Sequence, residues 1–142
     1  MVLFPAFQSI DVFGPLDVLN TLALQRPLHI SLLSSTLEPV STEFTVMNVS
    51  GSNFGESIAP THTFNAPPDD LKVLVVPGGI EARGEAFVAP VVEFVREMYP
   101  KLRYLVSVCT GATIVAKAGV LDGRRATTNK RLRAWVSGWV YF

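Results

Sequence analysis

Very little in this sequence is charged or conventionally reactive. Only 17% of its 142 residues are Asp, Glu, Lys or Arg, and it holds one cysteine and two histidines. A single cysteine excludes an intramolecular disulfide and a cysteine-rich zinc site. Lys plus Arg and Asp plus Glu each total 12, so no net charge steers the chain toward nucleic acid. The one local excess, Arg124, Arg125, Lys130, Arg131 and Arg133, reads as a solvated face. No apolar run reaches the length of a membrane span and no signal peptide is visible, so a cytoplasmic protein is expected. In that compartment the sequon Asn48-Val49-Ser50 is a chance match. His29 and His62 lie in a strand and a loop with no motif around them and read as structural.

What the chain does have is apolar side chains, at 49% of residues, enough for one domain over residues 1–142 with a sizeable core. So small a charged fraction also leads us to expect a partner subunit over part of the apolar surface. Val2-Leu3-Phe4 reads as the end of a strand closed by Pro5. Pro15 suits the first turn of a helix whose Leu16, Leu19 and Ala23 line one face, with Asp11 just ahead of it. Leu28 to Leu33 reads as a second strand, and Val40 to Pro60 as a β-ribbon off the main sheet. Leu71 to Val76 is apolar enough for a strand buried on both faces, ending in Pro77-Gly78-Gly79. Ala89 to Tyr99 has helical periodicity and stops at Pro100. Ala126-Thr127-Thr128 reads as a short strand, and a further helix starts at Lys130. Strands alternating with helices predict an α/β fold: a three-layer sandwich with a mostly parallel sheet and helices on both faces.

The stretch Leu105-Val106-Ser107-Val108-Cys109-Thr110-Gly111-Ala112-Thr113 stands out. Its apolar start suits a buried strand, and Ala112, Ile114, Val115, Ala116 and Ala118 form a helical stripe. Cys109 falls on the corner between them, the strand–nucleophile–helix geometry of a nucleophile elbow. A lone cysteine on an apolar strand is most often a small buried hydrophobe. Its company raises the catalytic reading. Gly78-Gly79 also falls at the carboxyl end of a strand, where such sheets bind ligands. Its backbone N–H and that of Thr110 predict an oxyanion hole. Asp11 follows the first strand and can reach the same crevice.

These segments together resemble the ThiJ/PfpI superfamily, with its flavodoxin-like, class I glutamine-amidotransferase-like fold. The matching runs are Leu3-Phe4-Pro5, Ile10 through Leu19, Val75-Val76-Pro77-Gly78-Gly79, Ser107 through Ala112, and Ala118 through Thr128. Within the superfamily the pattern is most similar to the isonitrile hydratase branch, with an Asp before a Gly-Pro helix start and Cys-Thr-Gly at the elbow. The resemblance implies Cys109 as nucleophile and Asp11 as general acid or base. Thr110 would help fix that acid and the substrate, and Gly79, with Gly78, would supply the oxyanion hole. It implies a small-molecule substrate, no metal, no cofactor and a homodimer. An isonitrile would add the thiolate, form a thioimidate and be released by water as an N-substituted formamide. Glyoxalase or deglycase action on 2-oxoaldehydes, and a non-catalytic or redox-sensing domain, remain open alternatives. Two departures bear on these. Many superfamily members carry His near the active Cys where this chain has Asn129, so no Cys-His dyad is expected. Members also continue past this C-terminus, so the domain is expected to be incomplete at both ends.

Overall fold

Alternation along the first four residues sets the two faces of the sheet. Val2 and Phe4 point into one apolar cluster, Met1 and Leu3 into another, and all four are buried. The computed structural model describes residues 1–44 and 48–136. In chain order its elements are α1 (Ser9–Ala23), β1 (Leu33–Ser34), β2 (Val40–Ser41), β3 (Ser57–Ile58), β4 (His62–Thr63), β5 (Val73–Val76), α2 (Glu85–Met98), β6 (Tyr104–Ser107), α3 (Gly111–Lys117) and α4 (Arg133–Val136). Short 3-10 turns cover Ile80–Arg83, Tyr99–Lys101 and Lys130–Leu132.

β1 pairs with β4, and β5 with β6, both in parallel. Residues 1–3 join the two pairs. The Val2 amide donates to the Val75 carbonyl at 2.9 Å, the Leu3 amide to the Leu33 carbonyl at 2.8 Å, and the Leu33 amide to the Met1 carbonyl at 2.9 Å. The N-terminal segment therefore lies at the centre of the sheet. The β2–β3 pair is antiparallel and forms the ribbon expected from residues 40–60, of which 45–47 lie outside the described residues.

α2 and α3 cover one face. Val88, Val91, Val95, Ile114 and Val115 pack there against Val2, Phe4, Leu33, Leu74 and Val76. Each fully buried aliphatic side chain contributes about 1.5–3 kcal/mol. Phe64 stacks on Phe94 at 4.7 Å between ring centroids and seals one end. The outer face of α2 carries Glu93, Arg96 and Glu97. The Lys101–Glu97 ion pair there, at 3.4 Å, is exposed and contributes little. On the other face Val12 and Leu16 of α1 pack against Met1, Leu3, Phe7 and Val75. The predicted three-layer α/β arrangement is thus the observed one.

Several elements differ from the sequence reading. α1 begins at Ser9, so Asp11 stands in its first turn rather than ahead of it, and Pro15 lies inside. That proline removes only the bond to the Asp11 carbonyl. Leu16 is half-buried, but Leu19 and Ala23 are exposed rather than core-lining. The second strand is confined to Leu33–Ser34, and residues 126–128 form no strand. α2 starts at Glu85 rather than Ala89. β5 is buried on one face only and no residue of β6 is fully buried: Val73, Tyr104 and Val106 are 44%, 56% and 44% exposed. The register explains it, because Tyr104 and Val106 sit beside Val73 and Val75 on the α1 face. The core contacts of α1 reach Val75 and go no further along that face.

Inside α3, Thr113 is fully buried and its hydroxyl has no hydrogen-bond partner among the described residues. A helical Thr can bond the carbonyl four residues back. Here that carbonyl, of Cys109, already accepts from the Thr128 hydroxyl at 2.9 Å. Thr113→Val keeps the shape and removes the unsatisfied group. It should stabilise the protein by about 1 kcal/mol, a rise of roughly 3 °C in Tm by thermal denaturation. A lower Tm would contradict this account of the site.

Candidate active site

The corner after β6 is held by backbone before any side chain acts. The Val108 amide donates to the Val76 carbonyl at 2.9 Å, and the Gly111 amide closes the turn on the Val108 carbonyl at 2.9 Å. Between them Cys109 adopts φ +55°, a conformation that L side chains rarely take. Non-glycine residues persist there only when their surroundings over-determine them. Here the Thr128 hydroxyl fixes the Cys109 carbonyl from outside the turn. Gly111 is required at the next corner, since a Cβ there would lie 2.3 Å from the Val76 carbonyl oxygen. The predicted elbow is therefore present, with its sulfur half-buried.

Asp11 reaches this corner from α1. It is only 7% exposed, and its Oδ2 accepts the Gly78 amide at 3.0 Å. Burial raises its carboxyl pKa above the ordinary Asp range. The Gly78 hydrogen bond and a hydrogen-bonding interaction with Cys109 oppose that rise in part. The acid and the thiol are thus neighbours, as expected. Asp11 does not cap its helix; it bonds across to the β5 loop.

Thr110 is buried directly behind the cysteine. Its hydroxyl accepts the Gly79 amide at 3.0 Å and faces the Gly79 carbonyl at 3.3 Å, to which it can donate. This corrects one expectation. The Gly78 and Gly79 amides, predicted as oxyanion donors, are already directed at Asp11 and Thr110. An N–H aimed at an internal acceptor is not free for a substrate oxygen. The Thr110 amide has no acceptor among the described residues and remains a candidate donor. Gly78 has a positional role instead: a Cβ there would stand 2.6 Å from Thr110 Oγ1 and 2.8 Å from Asp11 Oδ2. Only glycine lets the acid and the threonine converge.

Two contributions were not assigned from sequence. Asn129 Nδ2 donates to Cys109 Sγ at 3.3 Å. Glu56, on the ribbon, accepts from the Ser9 hydroxyl at 3.0 Å and from the Thr42 hydroxyl at 2.8 Å, and these bonds lower its pKa. Through Ser9 it ties down the first turn of α1, two residues from Asp11. No motif announces such a contact, because it joins segments 47 residues apart. His62 lies in β4, with Nδ1 at 2.9 Å from the Thr61 hydroxyl. Among the described residues no group of three His, Cys, Asp or Glu side chains is placed to hold a metal. Nor, among them, is any helix long and apolar enough to cross a membrane.

A cysteine on a strained corner, a buried acid beside it and glycines fitted around both are the traits that the sequence pattern implied. The profile of the DJ-1/PfpI family matches residues 1–140. The chain belongs to the DJ-1/PfpI family. It is 37% identical over 134 residues to the isonitrile hydratase of Pseudomonas putida, across 90% of this chain and 50% of that protein. Over 75 residues it is 33% identical to deglycase PfpI of Pyrococcus furiosus, across 52% of this chain and 45% of that one. Its fold superimposes on a ThiJ/PfpI family protein from Pseudomonas syringae with a TM-score of 0.79 and 29% identity, covering 98% of this chain and 52% of the other. The chain thus spans about half the length of these DJ-1/PfpI relatives.

The raised Asp11 pKa has a consequence for stability. A carboxyl group that keeps its proton to higher pH when folded contributes fully below the ordinary Asp range. That contribution is lost as pH climbs through the raised value. Asp11→Asn retains an acceptor for the Gly78 amide and removes the ionisation. The Tm of the variant relative to the parent should therefore rise between about pH 3 and pH 8. A difference that is flat or falls with pH would show that burial does not dominate at Asp11. At the elbow, Gly111→Ala should cost about 2–3 kcal/mol by denaturant unfolding, although alanine normally improves a helix.

Proposed function

We propose that this domain carries a cofactor-independent, cysteine-dependent hydratase site of isonitrile hydratase type. The observation that supports it most is the buried Asp11 carboxyl, its pKa raised by burial, beside the sulfur of the elbow. The chemistry needs a thiolate and a proton source within one crevice, and little else.

Its steps follow from those two groups. Cys109 Sγ attacks the terminal carbon of R–N≡C, and the Asp11 carboxyl delivers its proton to that carbon. The product is a thioimidate, Cys–S–CH=N–R, with Asp11 ionised. Asp11 then takes a proton from water as its oxygen adds to the same carbon, and passes that proton to nitrogen. Collapse of the adduct breaks the C–S bond and returns the O–H proton to Asp11. R–NH–CHO leaves, and thiolate and carboxylic acid are restored. The sum is one isonitrile plus one water. The Gly78 amide positions the acid, Thr110 fixes Gly79 beside it, and the Thr110 amide, with no acceptor among the described residues, is the candidate donor for charge that develops beyond the sulfur.

The 33% identity to deglycase PfpI favours a second reading, Cys109 chemistry on a 2-oxoaldehyde such as methylglyoxal. The two are separated by assaying the same preparation on a small alkyl isonitrile, by loss of its infrared stretch and appearance of formamide, and on methylglyoxal. Formamide should form. Cys109→Ala should abolish turnover, and Asp11→Asn should reduce it by roughly 10²–10⁴-fold. Turnover of methylglyoxal alone would replace the hydratase reading by the second. Isonitrile turnover unchanged in Cys109→Ala would end it.

A further inference from the structure

Asn129 stands beside the Cys109 sulfur, and its orientation there is forced. The Arg131 backbone amide, which can only donate, points at Asn129 at 2.9 Å and so fixes Oδ1 toward itself. Nδ2 is left facing Cys109 Sγ at 3.3 Å. The neighbouring Thr128 hydroxyl holds the Cys109 carbonyl at 2.9 Å, so two consecutive residues grip the cysteine from one side while Asp11 approaches from α1. A carboxamide cannot take a proton at working pH. Its Nδ2 can only donate, and a donor to sulfur favours the anion over the thiol.

We propose that Asn129 is a catalytic residue: its side-chain amide is the fixed donor that holds negative charge on Cys109. The proposal rests on the reading of Cys109 as the nucleophile. It divides the work at the site. Asp11 moves protons, and Asn129 carries none. Where an imidazole would titrate between about pH 5 and 8, this support for the thiolate is constant across that range. Asp11 is the titratable group beside the sulfur, and Lys130, Arg131 and Arg133 are the charged residues that follow Asn129 in the chain.

The test uses alkylation of Cys109 by iodoacetamide, in which the thiolate displaces iodide. Cys109 is the chain's sole cysteine, so every alkylated sulfur is this one. Asn129→Asp keeps an oxygen for the Arg131 amide, and so keeps the local backbone, but loses the donor and adds charge. Asn129→Leu loses both contacts. Both variants should alkylate roughly ten- to hundredfold more slowly at neutral pH, with the midpoint of the pH–rate profile moved up. Asn129→His should recover much of the rate and add a step near about pH 6.5. Rates and profiles like the parent's in Asn129→Asp and Asn129→Leu would overturn the proposal. Should neither fold, a parent-like profile in Asn129→His would do so, and the added step would support it. Slowed alkylation in the variants, with no isonitrile turnover in the parent, would end the hydratase reading and leave the role of Asn129 standing. Parent-like alkylation alongside Cys109-dependent turnover would do the reverse.

Discussion

The Val76 carbonyl governs where Cys109 can sit. It accepts the Val108 amide and, at the same time, leaves so little room that only a glycine fits at position 111. The chain must therefore turn sharply between the two, and Cys109 is the residue left on the corner. Once α3 starts there, its buried stripe from Ala112 to Ala116 locks against β5 and α2, and the corner cannot relax without opening the core. The corner geometry is thus a by-product of packing. The same hydrophobic contacts that stabilise the sheet hold one residue in a backbone conformation it would not choose.

The acid is placed by a different logic. Asp11 lies far from Cys109 in sequence and reaches it because the N-terminal segment threads the middle of the sheet. The turn after Phe4 then brings the start of α1 over the β5 loop, where the Gln8 amide meets the Gly78 carbonyl at 2.8 Å. An exposed carboxylate, Glu56, ties Ser9 to the ribbon. Two apolar faces and a handful of backbone bonds thus bring together residues that share no local motif.

How much of this could be read from sequence follows from how local each cause is. The elbow was legible because strand, corner and helix are contiguous, and the apolar period changes from one side of Cys109 to the other. The parallel sheet and its two helical layers were legible from alternation of strand and helix patterns. α1 was misplaced because Pro15 looked like a helix start, whereas the helix tolerates it one turn past Asp11. The oxyanion assignment to Gly78 and Gly79 failed for a related reason. A Gly-Gly turn announces that something approaches the backbone closely, but not whether that something is a substrate or, as here, Asp11 and Thr110. Asn129 was visible only as a missing histidine; its grip on the sulfur depends on the Arg131 amide, which no spacing rule predicts.

The backbone at Cys109 also sets folding against the presence of a side chain. An L side chain at φ +55° costs on the order of 1 kcal/mol, whereas glycine would occupy that corner without strain. Folding alone would thus favour a residue with no side chain at the very point where the sulfur stands. A chain improved only for robustness would drift toward losing that sulfur, so thermal resilience and retention of the cysteine pull in opposite directions.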